Sequence, residues 1–358
     1  MRMKTDKDYM AYALKLAELG YGFTWPNPAV GAVIVKDGRI VGVGYHRKKG
    51  EAHAEVMAIK DARGLTNGAT MYVNLEPHSF YGLVPPCTDA IIKAGIKKVV
   101  IGMLDPNPKV MGNGVRILRE HGVEVVVGVL EEEAKFLNRF FYKFHKKKRP
   151  YVMLKFAVSM DGFIADRNGN SKWISNEKSR RYVHKMRGEV DAVMVGRNTL
   201  VKDNARLTPR DVFYAKMPVR IVVGRNFKKD VFQLDFFKEK GEKWILTTQD
   251  AIIPRPPDNV NIIRCGKERV DFNCLLNYMK EREMLSLLVE GGSMLASSMM
   301  EQGLIDEIIL FKAPKIFGNG LGMFNLQIDK HLIDFYLYDV KRIDNDMMLR
   351  YIKNGTLD

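Results

Sequence analysis

Residues 29–58 read AVGAVIVKDGRIVGVGYHRKKGEAHAEVMA, and this stretch decides the architecture of the first half of the chain. Ala29 to Lys36 and Arg39 to Gly44 are apolar runs joined by Asp37-Gly38, a dipeptide suited to the positive φ of a tight hairpin turn, so they predict two paired strands. Ala54 to Ala62 follows with helical spacing. Working outward, Asp8 to Leu19 predicts a preceding helix. After the Ala54 helix come a strand at Thr70 to Leu75, a helix at Thr88 to Ala94, a strand at Lys98 to Gly102, a helix at Gly114 to Glu120 and a strand at Val123 to Val129. Such alternation on short loops predicts an α/β sheet covered by helices. Glu131 to Phe144 reads as one further helix. It leads into the basic run Lys143 to Arg149 (KFHKKKR) and Pro150, where the boundary between a domain of residues 1–145 and one of 146–358 is expected.

The second half starts a new sheet. Tyr151 to Ala157 predicts a strand, Glu177 to Arg187 a helix and Ala192 to Gly196 a buried strand. Further strands are expected at Val219 to Val223, Lys243 to Thr247, Val260 to Arg264, Leu285 to Val289 and Ile305 to Ala313, with helices at Asn273 to Arg282 and Ser293 to Glu301. Gly318-Asn319-Gly320-Leu321-Gly322 lacks the spacing of a dinucleotide fingerprint and reads as a loop.

Composition sets the outer limits. A chain of 358 residues, 46% apolar and 28% charged, is long enough for two globular domains. Its apolar runs last a handful of residues, far short of the roughly 20 that cross a bilayer, and the charged N-terminal segment has no signal-peptide core. Cys87, Cys265 and Cys274 are too few and too scattered for a disulfide framework, which fits a reducing compartment, so the cytoplasm is expected. A net charge of +15 would attract nucleic acid, anionic lipid or a phosphorylated small molecule. The KFHKKKR run reads either as a solvated linker or as a phosphate-contacting patch.

The chemistry-bearing residues of the first half are His53-Ala54-Glu55, then Glu76-Pro77-His78, then Pro85-Pro86-Cys87. A hydrolytic zinc site needs three protein ligands, an open position and a carboxylate that moves protons; His53, His78 and Cys87 supply the first and Glu55 the last. The pattern requires His53 just ahead of the Ala54 helix, Glu55 pointing inward from its first turn, and Cys87 at the start of the Thr88 helix, where the dipole favours thiolate.

This order resembles the H-x-E … P-C … C signature of zinc-dependent cytidine-type deaminases, with His78 where that family carries a cysteine. Exchanging a thiolate for an imidazole makes the metal site one unit more positive. TWPNPAVGAVIVKDGRIVGVGYHRKKGEAHAE and LEPHSFYGLVPPCTDAIIKAGIKKVVIGMLDPNP resemble more closely the deaminase half of the bifunctional deaminase/reductases of riboflavin biosynthesis. The resemblance implies a cytidine-deaminase-like α/β/α domain, bound Zn2+, and hydrolytic loss of a ring amine from a phosphorylated diaminopyrimidinone, with Glu55 shuttling protons. Asn27, between two prolines, reads as a contact to the base or as a plain turn residue. His46 reads as structural or pocket-lining.

RPYVMLKFAVSMDGFIAD, SKWIS, VHKMRGEVDAVMVGRNTLVKDNARLTPR, PVRIVVG and VEGGSMLASSM resemble the reductase half of the same family. They imply a domain similar to dihydrofolate reductase that uses NADPH. On that analogy Ala157, Trp173, Thr199 and the turn Gly292, Ser293, Met294, Leu295, Ala296 line the cofactor, and Ser171, Arg187, Asp203, Leu207, Arg210 and Glu290 line the substrate. The Leu287 to Ser293 segment, a strand running into two glycines and a helix, independently suits phosphate binding by bare amides. Arg187 and Arg210 are expected phosphate clamps, although Arg187 also ends a helix, where a cation is favoured anyway. Lys202-Asp203-Asn204 stands where the family has Asp-Asp-Pro, which weakens the role of Asp203. Arg225 reads either as the contact to the 2′-phosphate of NADPH or as a surface arginine. The resemblance also implies a homo-oligomer acting on a small molecule, with neither nucleic acid nor membrane as partner. Two rival readings remain at this level: a nucleic-acid deaminase, and a reductase with a degenerate zinc site.

Overall fold

A computed structural model describes residues 5–82, 85–108, 110–326 and 333–358. It divides into two compact units, one ending at Lys148 and the other beginning at Arg149.

The first unit runs α1 (Asp6–Glu18), β1 (Gly31–Lys36), β2 (Arg39–Tyr45), α2 (Ala54–Asp61), β3 (Thr70–Leu75), α3 (Cys87–Lys93), β4 (Lys98–Met103), α4 (Asn113–Glu120), β5 (Glu124–Val127), α5 (Glu131–Leu137) and α6 (Arg139–Lys147). Its five-stranded sheet has the order β2-β1-β3-β4-β5, antiparallel at the hairpin and between β1 and β3, parallel from β3 to β5. Alternation along β1 creates the two cores. Ala32 and Ile34 pack with Ala54, Ala58, Ile91 and Leu118 of α2, α3 and α4, whereas Val33 and Val35 pack with Met10, Leu14 and Ala134 of α1 and α5. Helices therefore cover both faces of the sheet, and α2 lies unusually close to it. A Cβ on Gly44 of β2 would run into the Ala54 carbonyl and the backbone of Ala58, so the glycines of the VGVG stretch set the depth of α2.

The helix expected from Glu131 to Phe144 is two helices. Asn138 interrupts them because its buried side chain is used elsewhere: Oδ1 accepts from Ala29 N at 2.8 Å and Nδ2 donates to Ala29 O at 2.9 Å. Asn74 supports the same segment, accepting from Gly31 N at 2.8 Å and donating to Ala29 O at 3.0 Å. Two buried amides thereby hold the chain that leaves Asn27. The KFHKKKR run is helical rather than a linker, since α6 continues through Lys147, and Lys143 is buried, while Lys146, Lys147 and Lys148 are solvated as expected.

The second unit contains β6 (Tyr151–Val158), β7 (Phe163–Asp166), α7 (Glu177–Gly188), β8 (Ala192–Gly196), α8 (Arg197–Asp203), β9 (Val219–Val223), α9 (Asp235–Lys238), β10 (Lys243–Thr247), β11 (Val260–Arg264), α10 (Phe272–Glu281), β12 (Ser286–Val289), α11 (Ser293–Glu301), β13 (Glu307–Lys312), β14 (Gly320–Gly322), β15 (Phe335–Ile343) and β16 (Asp346–Lys353). A nine-stranded sheet has the order β11-β10-β9-β8-β12-β6-β13-β16-β15, parallel from β11 to β13 and antiparallel beyond. The glycine stretch expected as a loop contributes β14, which pairs with β7 because Gly320 can approach the Ala165 backbone directly. Where the cysteine count predicts no framework, Cys265 and Cys274 form one local disulfide, their Cα atoms 5.6 Å apart across the turn from β11 into α10. Among the described residues no helix is long and apolar enough to cross a membrane.

Replacing Asn138 by Leu leaves the buried Ala29 amide without its acceptor. A loss of about 1–3 kcal/mol is expected, read as a lower urea midpoint at unchanged m-value.

Candidate functional site

In the first unit the site assembles at the starts of two helices and the end of a strand. His53 is the residue before α2 and Glu55 lies buried in its first turn; Cys87 opens α3 behind Pro86. His78 follows β3, and its carbonyl accepts from Cys87 N at 3.1 Å, which ties the two ligand segments together. His78 Nδ1 lies 3.2 Å from Cys87 Sγ, and His53 Nδ1 lies 3.3 Å from the same sulfur. The donor atoms of all three residues fall within 4.8 Å of one another.

The electrostatics of this cluster fit a cation. Burial, reinforced by His78 and His46, lowers the His53 pKa to about 4, leaving a neutral imidazole with a lone pair at neutral pH. Burial and the neighbouring Glu55 push the Cys87 thiol up, so a thiolate here needs a positive charge to compensate it. Glu55 is itself raised by burial, and its Oε2 is buried with no hydrogen-bond partner. A divalent ion with an associated water would satisfy the thiolate and that oxygen together, and two imidazoles with one sulfur are a competent zinc donor set.

Asn27 sits in the turn that sequence allows: its amide donates to Thr24 O at 3.0 Å, and its carbonyl accepts from Thr24 Oγ1 at 3.0 Å. The same residue also approaches the cluster. Asn27 Nδ2 lies 3.5 Å from His46 Nε2, and the His46 ring stands 5.0 Å from that of His53. His46 is buried and its Nδ1 donates to Ala52 O at 3.3 Å, which leaves Nε2 as an acceptor. It is not one of the three clustered donors.

Sequence reasoning gave Glu76 no role of its own and missed Asp105. Glu76 is buried, and its carboxylate accepts from Asp105 N at 3.2 Å, Gly112 N at 3.0 Å and Val115 N at 3.2 Å, so it caps α4 and holds the loop after β4. Burial raises Asp105 to about 7, with Glu76 adding to the rise and the Asn107 amide opposing it. The signal was present in Glu76-Pro77 and in Asp105-Pro106-Asn107-Pro108, but nothing along the chain shows that the two acids meet.

In the second unit the expected residues gather in two groups. Glu290, just past β12, receives Arg187 Nε at 2.6 Å and Nη2 at 2.9 Å, and Lys155 Nζ stands 3.5 Å away. Burial alone would raise Glu290, yet Arg187 and Lys155 together hold it at about 2. The Arg187 fork expected to clamp phosphate is thus filled by a carboxylate. Its remaining Nη1 donates to Thr208 O at 3.2 Å, and His184 Nδ1 donates to the same carbonyl at 3.0 Å. Arg210 comes near through Thr208, its Nη1 lying 3.5 Å from Thr208 Oγ1, and no carboxylate pairs with it among the described residues. The Leu207 side chain is buried, so this residue can line a site only through its backbone. Lys155 and His184 were missed. A lysine inside the apolar run VMLKFAV, and a histidine three residues before Arg187 on one helix, were the available signals.

The other group lies along the carboxyl edge of the parallel strands. Gly292 caps α11, and Thr199 Oγ1 would stand 3.3 Å from a Cβ at Gly292, so α8 and the glycine turn face each other. Ser293 and Met294 begin α11, whereas Leu295 and Ala296 point into the core and offer only backbone amides. Ala157 lies on β6. Trp173 is exposed, with the Arg180 guanidinium 4.6 Å from its ring centroid. Ser171 lies in the loop before α7, and Asp203 ends α8 with its carbonyl accepting from Lys172 Nζ at 3.4 Å. Arg225 pairs with Asp250, both half exposed.

Two folds and two clusters of this kind define a two-domain enzyme, a zinc-type deaminase followed by a pyridine-nucleotide reductase. The family model for the cytidine and deoxycytidylate deaminase zinc-binding region matches residues 3–103, and that for the RibD C-terminal domain matches 150–349. The riboflavin biosynthesis protein RibD of Aquifex aeolicus is 43% identical over 92% of each chain. The crystal structure of a Thermotoga maritima diaminohydroxyphosphoribosylaminopyrimidine deaminase/5-amino-6-(5-phosphoribosylamino)uracil reductase is 41% identical, with a TM-score of 0.84 over 97% of this chain and 98% of that one. Acinetobacter baumannii RibD superposes at a TM-score of 0.84 with 35% identity, over 98% and 99% of the two chains. The chain belongs to the RibD family of bifunctional riboflavin biosynthesis proteins, whose two domains use Zn2+ and NADPH.

Two measurements check the electrostatics. Asp105 has a folded pKa above its unfolded one, so its contribution is favourable below about pH 4 and is lost as pH rises through about 7. Asp105→Asn should therefore be more stable than the wild type at pH 8, by roughly 2–4 kcal/mol, with the gap closing toward pH 4 in denaturant titrations. Arg187→Met leaves the buried Glu290 with Lys155 alone, and a loss of about 3–5 kcal/mol is expected for the second unit, read from its thermal or urea transition.

Proposed function

We propose that the chain performs two consecutive steps on one phosphorylated pyrimidine. The first unit would remove the ring 2-amino group of 2,5-diamino-6-ribosylamino-4(3H)-pyrimidinone 5′-phosphate hydrolytically. The second would reduce the ribosyl group to ribityl with NADPH. The observation that carries the reading is the convergence of His53, His78 and Cys87 within 4.8 Å beside the unpartnered Glu55 Oε2.

His53, His78 and Cys87 would hold zinc, which when bound supplies Lewis acidity and water activated at neutral pH. Glu55 Oε2 takes one proton from the attacking water and delivers it to the ring nitrogen, then takes the second from the hydroxyl added to the ring carbon and delivers it to the departing amine, so that the ring carbon becomes a carbonyl and ammonia leaves. Asn27 and His46 Nε2, side by side next to His53, offer a donor and an acceptor to the edge of the base.

NADPH, when bound, supplies the hydride. Backbone amides of the Gly292 to Ala296 turn bind its diphosphate at the start of α11, with Thr199 opposite and Ala157 and Trp173 alongside. Arg210, whose guanidinium has no carboxylate partner among the described residues, binds the substrate 5′-phosphate. Arg187 holds Glu290 ionised and fixes the Thr208 carbonyl, so its part is to position the 207–210 segment. Ser171, Asp203 and Glu290 hold the sugar hydroxyls, and Leu207 contributes its backbone.

Incubating the diamino substrate with purified protein should give the deaminated ribosyl compound without NADPH and the ribityl compound with it, identified by mass. Unchanged substrate in both arms overturns the reading. Glu55→Ala should keep bound zinc and release no ammonia, whereas His78→Ala should lose the metal.

A further inference from the structure

The parallel order β9-β8-β12 brings three strand ends to one edge of the sheet, with Gly196 of β8 in register with Val223 of β9. In open α/β sheets a nucleotide binds outside such carboxyl ends. On the β12 side of β8 the edge offers the amides of the Gly291-Gly292 turn. On the β9 side it offers a cation. Arg197 follows β8 directly and lies across Gly224: a Cβ there would stand 2.9 Å from Arg197 Cβ and 3.3 Å from its Cδ, so only glycine admits the arginine stem. The guanidinium is left unsatisfied. Arg197 Nε is buried with no hydrogen-bond partner, Nη1 reaches only Asn198 Oδ1 at 3.4 Å, and no carboxylate pairs with it among the described residues. Arg225, one residue beyond Gly224, is already neutralised by Asp250, whose charge would also repel an incoming phosphate dianion.

We propose that Arg197 binds the 2′-phosphate of NADPH and thereby selects this cofactor over NADH. The assignment rests on the reductase reading of the second unit. NADPH carries two separated anionic groups. The diphosphate suits the glycine turn at α11, while the 2′-phosphomonoester suits a guanidinium fork two residues from Thr199, on the opposite side of β8. Arg197 has no carboxylate beside it among the described residues, whereas Arg225 is already paired with Asp250.

The test is a binding titration on the full chain, read by NADPH and NADH fluorescence, with thermal melting to confirm folding of each variant. Arg197→Ala should raise the Kd for NADPH roughly 10- to 100-fold, the range of a lost hydrogen bond to a charged group. The Kd for NADH should stay within about twofold, as no phosphate contact is removed. Competition by 2′,5′-ADP should be lost while that by 5′-ADP persists, and Arg197→Lys should recover part of the NADPH affinity. Arg225→Ala should leave both cofactors unaffected. Equal weakening of NADPH and NADH in Arg197→Ala overturns the assignment, as does an unchanged NADPH affinity or a selective loss in Arg225→Ala. Failure of the wild-type chain to bind either dinucleotide would defeat the reductase reading itself, an outcome distinct from all of these.

Discussion

Two imidazole nitrogens and a thiol sulfur crowd within 4.8 Å of one another, an arrangement suited to holding a positive charge. Without one, burial drives His53 to its neutral form and Cys87 to its protonated form, and one oxygen of Glu55 stays unpartnered. Much of the first unit serves to hold the cluster. Glycines on β2 let α2 settle against the sheet and bring His53 and Glu55 inward. The His78 carbonyl anchors the start of α3 and with it Cys87. Asn74 and Asn138 fix the chain that presents Asn27. Here folding energy is spent on keeping donors close before any ligand arrives, which is how a metal site is preorganised.

The second unit meets the cost of buried charge by pairing. Glu290 lies almost fully buried yet remains ionised, because Arg187 meets it with two hydrogen bonds and Lys155 stands close by. The same arginine reaches the Thr208 carbonyl, so one side chain joins the end of β12 to the segment that carries Arg210. Asp105 in the first unit shows the converse. No cation pairs with it among the described residues, and burial, with the acid beside it adding to the rise, brings its carboxyl up to about 7. Neighbouring charge, more than burial, separates the two cases.

Most strands and helices were legible along the chain because their apolar periods are strong. The strands at Val219–Val223, Lys243–Thr247 and Val260–Arg264 fall where the sequence predicts them. The failures have a common cause. A helix was expected to run unbroken through Asn138, the glycine stretch near Gly320 to stay a loop, and the 143–149 lysines to face water. The first two, and the third at Lys143, were overturned by a partner distant in sequence: Ala29 for Asn138, β7 for Gly320, and the interior of the first unit for Lys143, while Lys146, Lys147 and Lys148 do face water. The long hairpin of β15 and β16 gave little signal, since β15 is an edge strand whose outward residues remain exposed.

The sequence by itself determined the alternating elements, the order and chemical type of the clustered histidine and cysteine donors and the turn of two glycines before α11, because these depend on local period, residue type and spacing. Only the tertiary structure decided which charges are spent internally and which stay free. Arg187 and Arg225 have carboxylate partners, while Arg197 and Arg210 have none among the described residues. The physical reason is that an ion pair joins residues whose separation along the chain carries no record of their distance in space: Arg187 and Glu290 are 103 positions apart in sequence, and 2.6 Å apart at their nearest atoms.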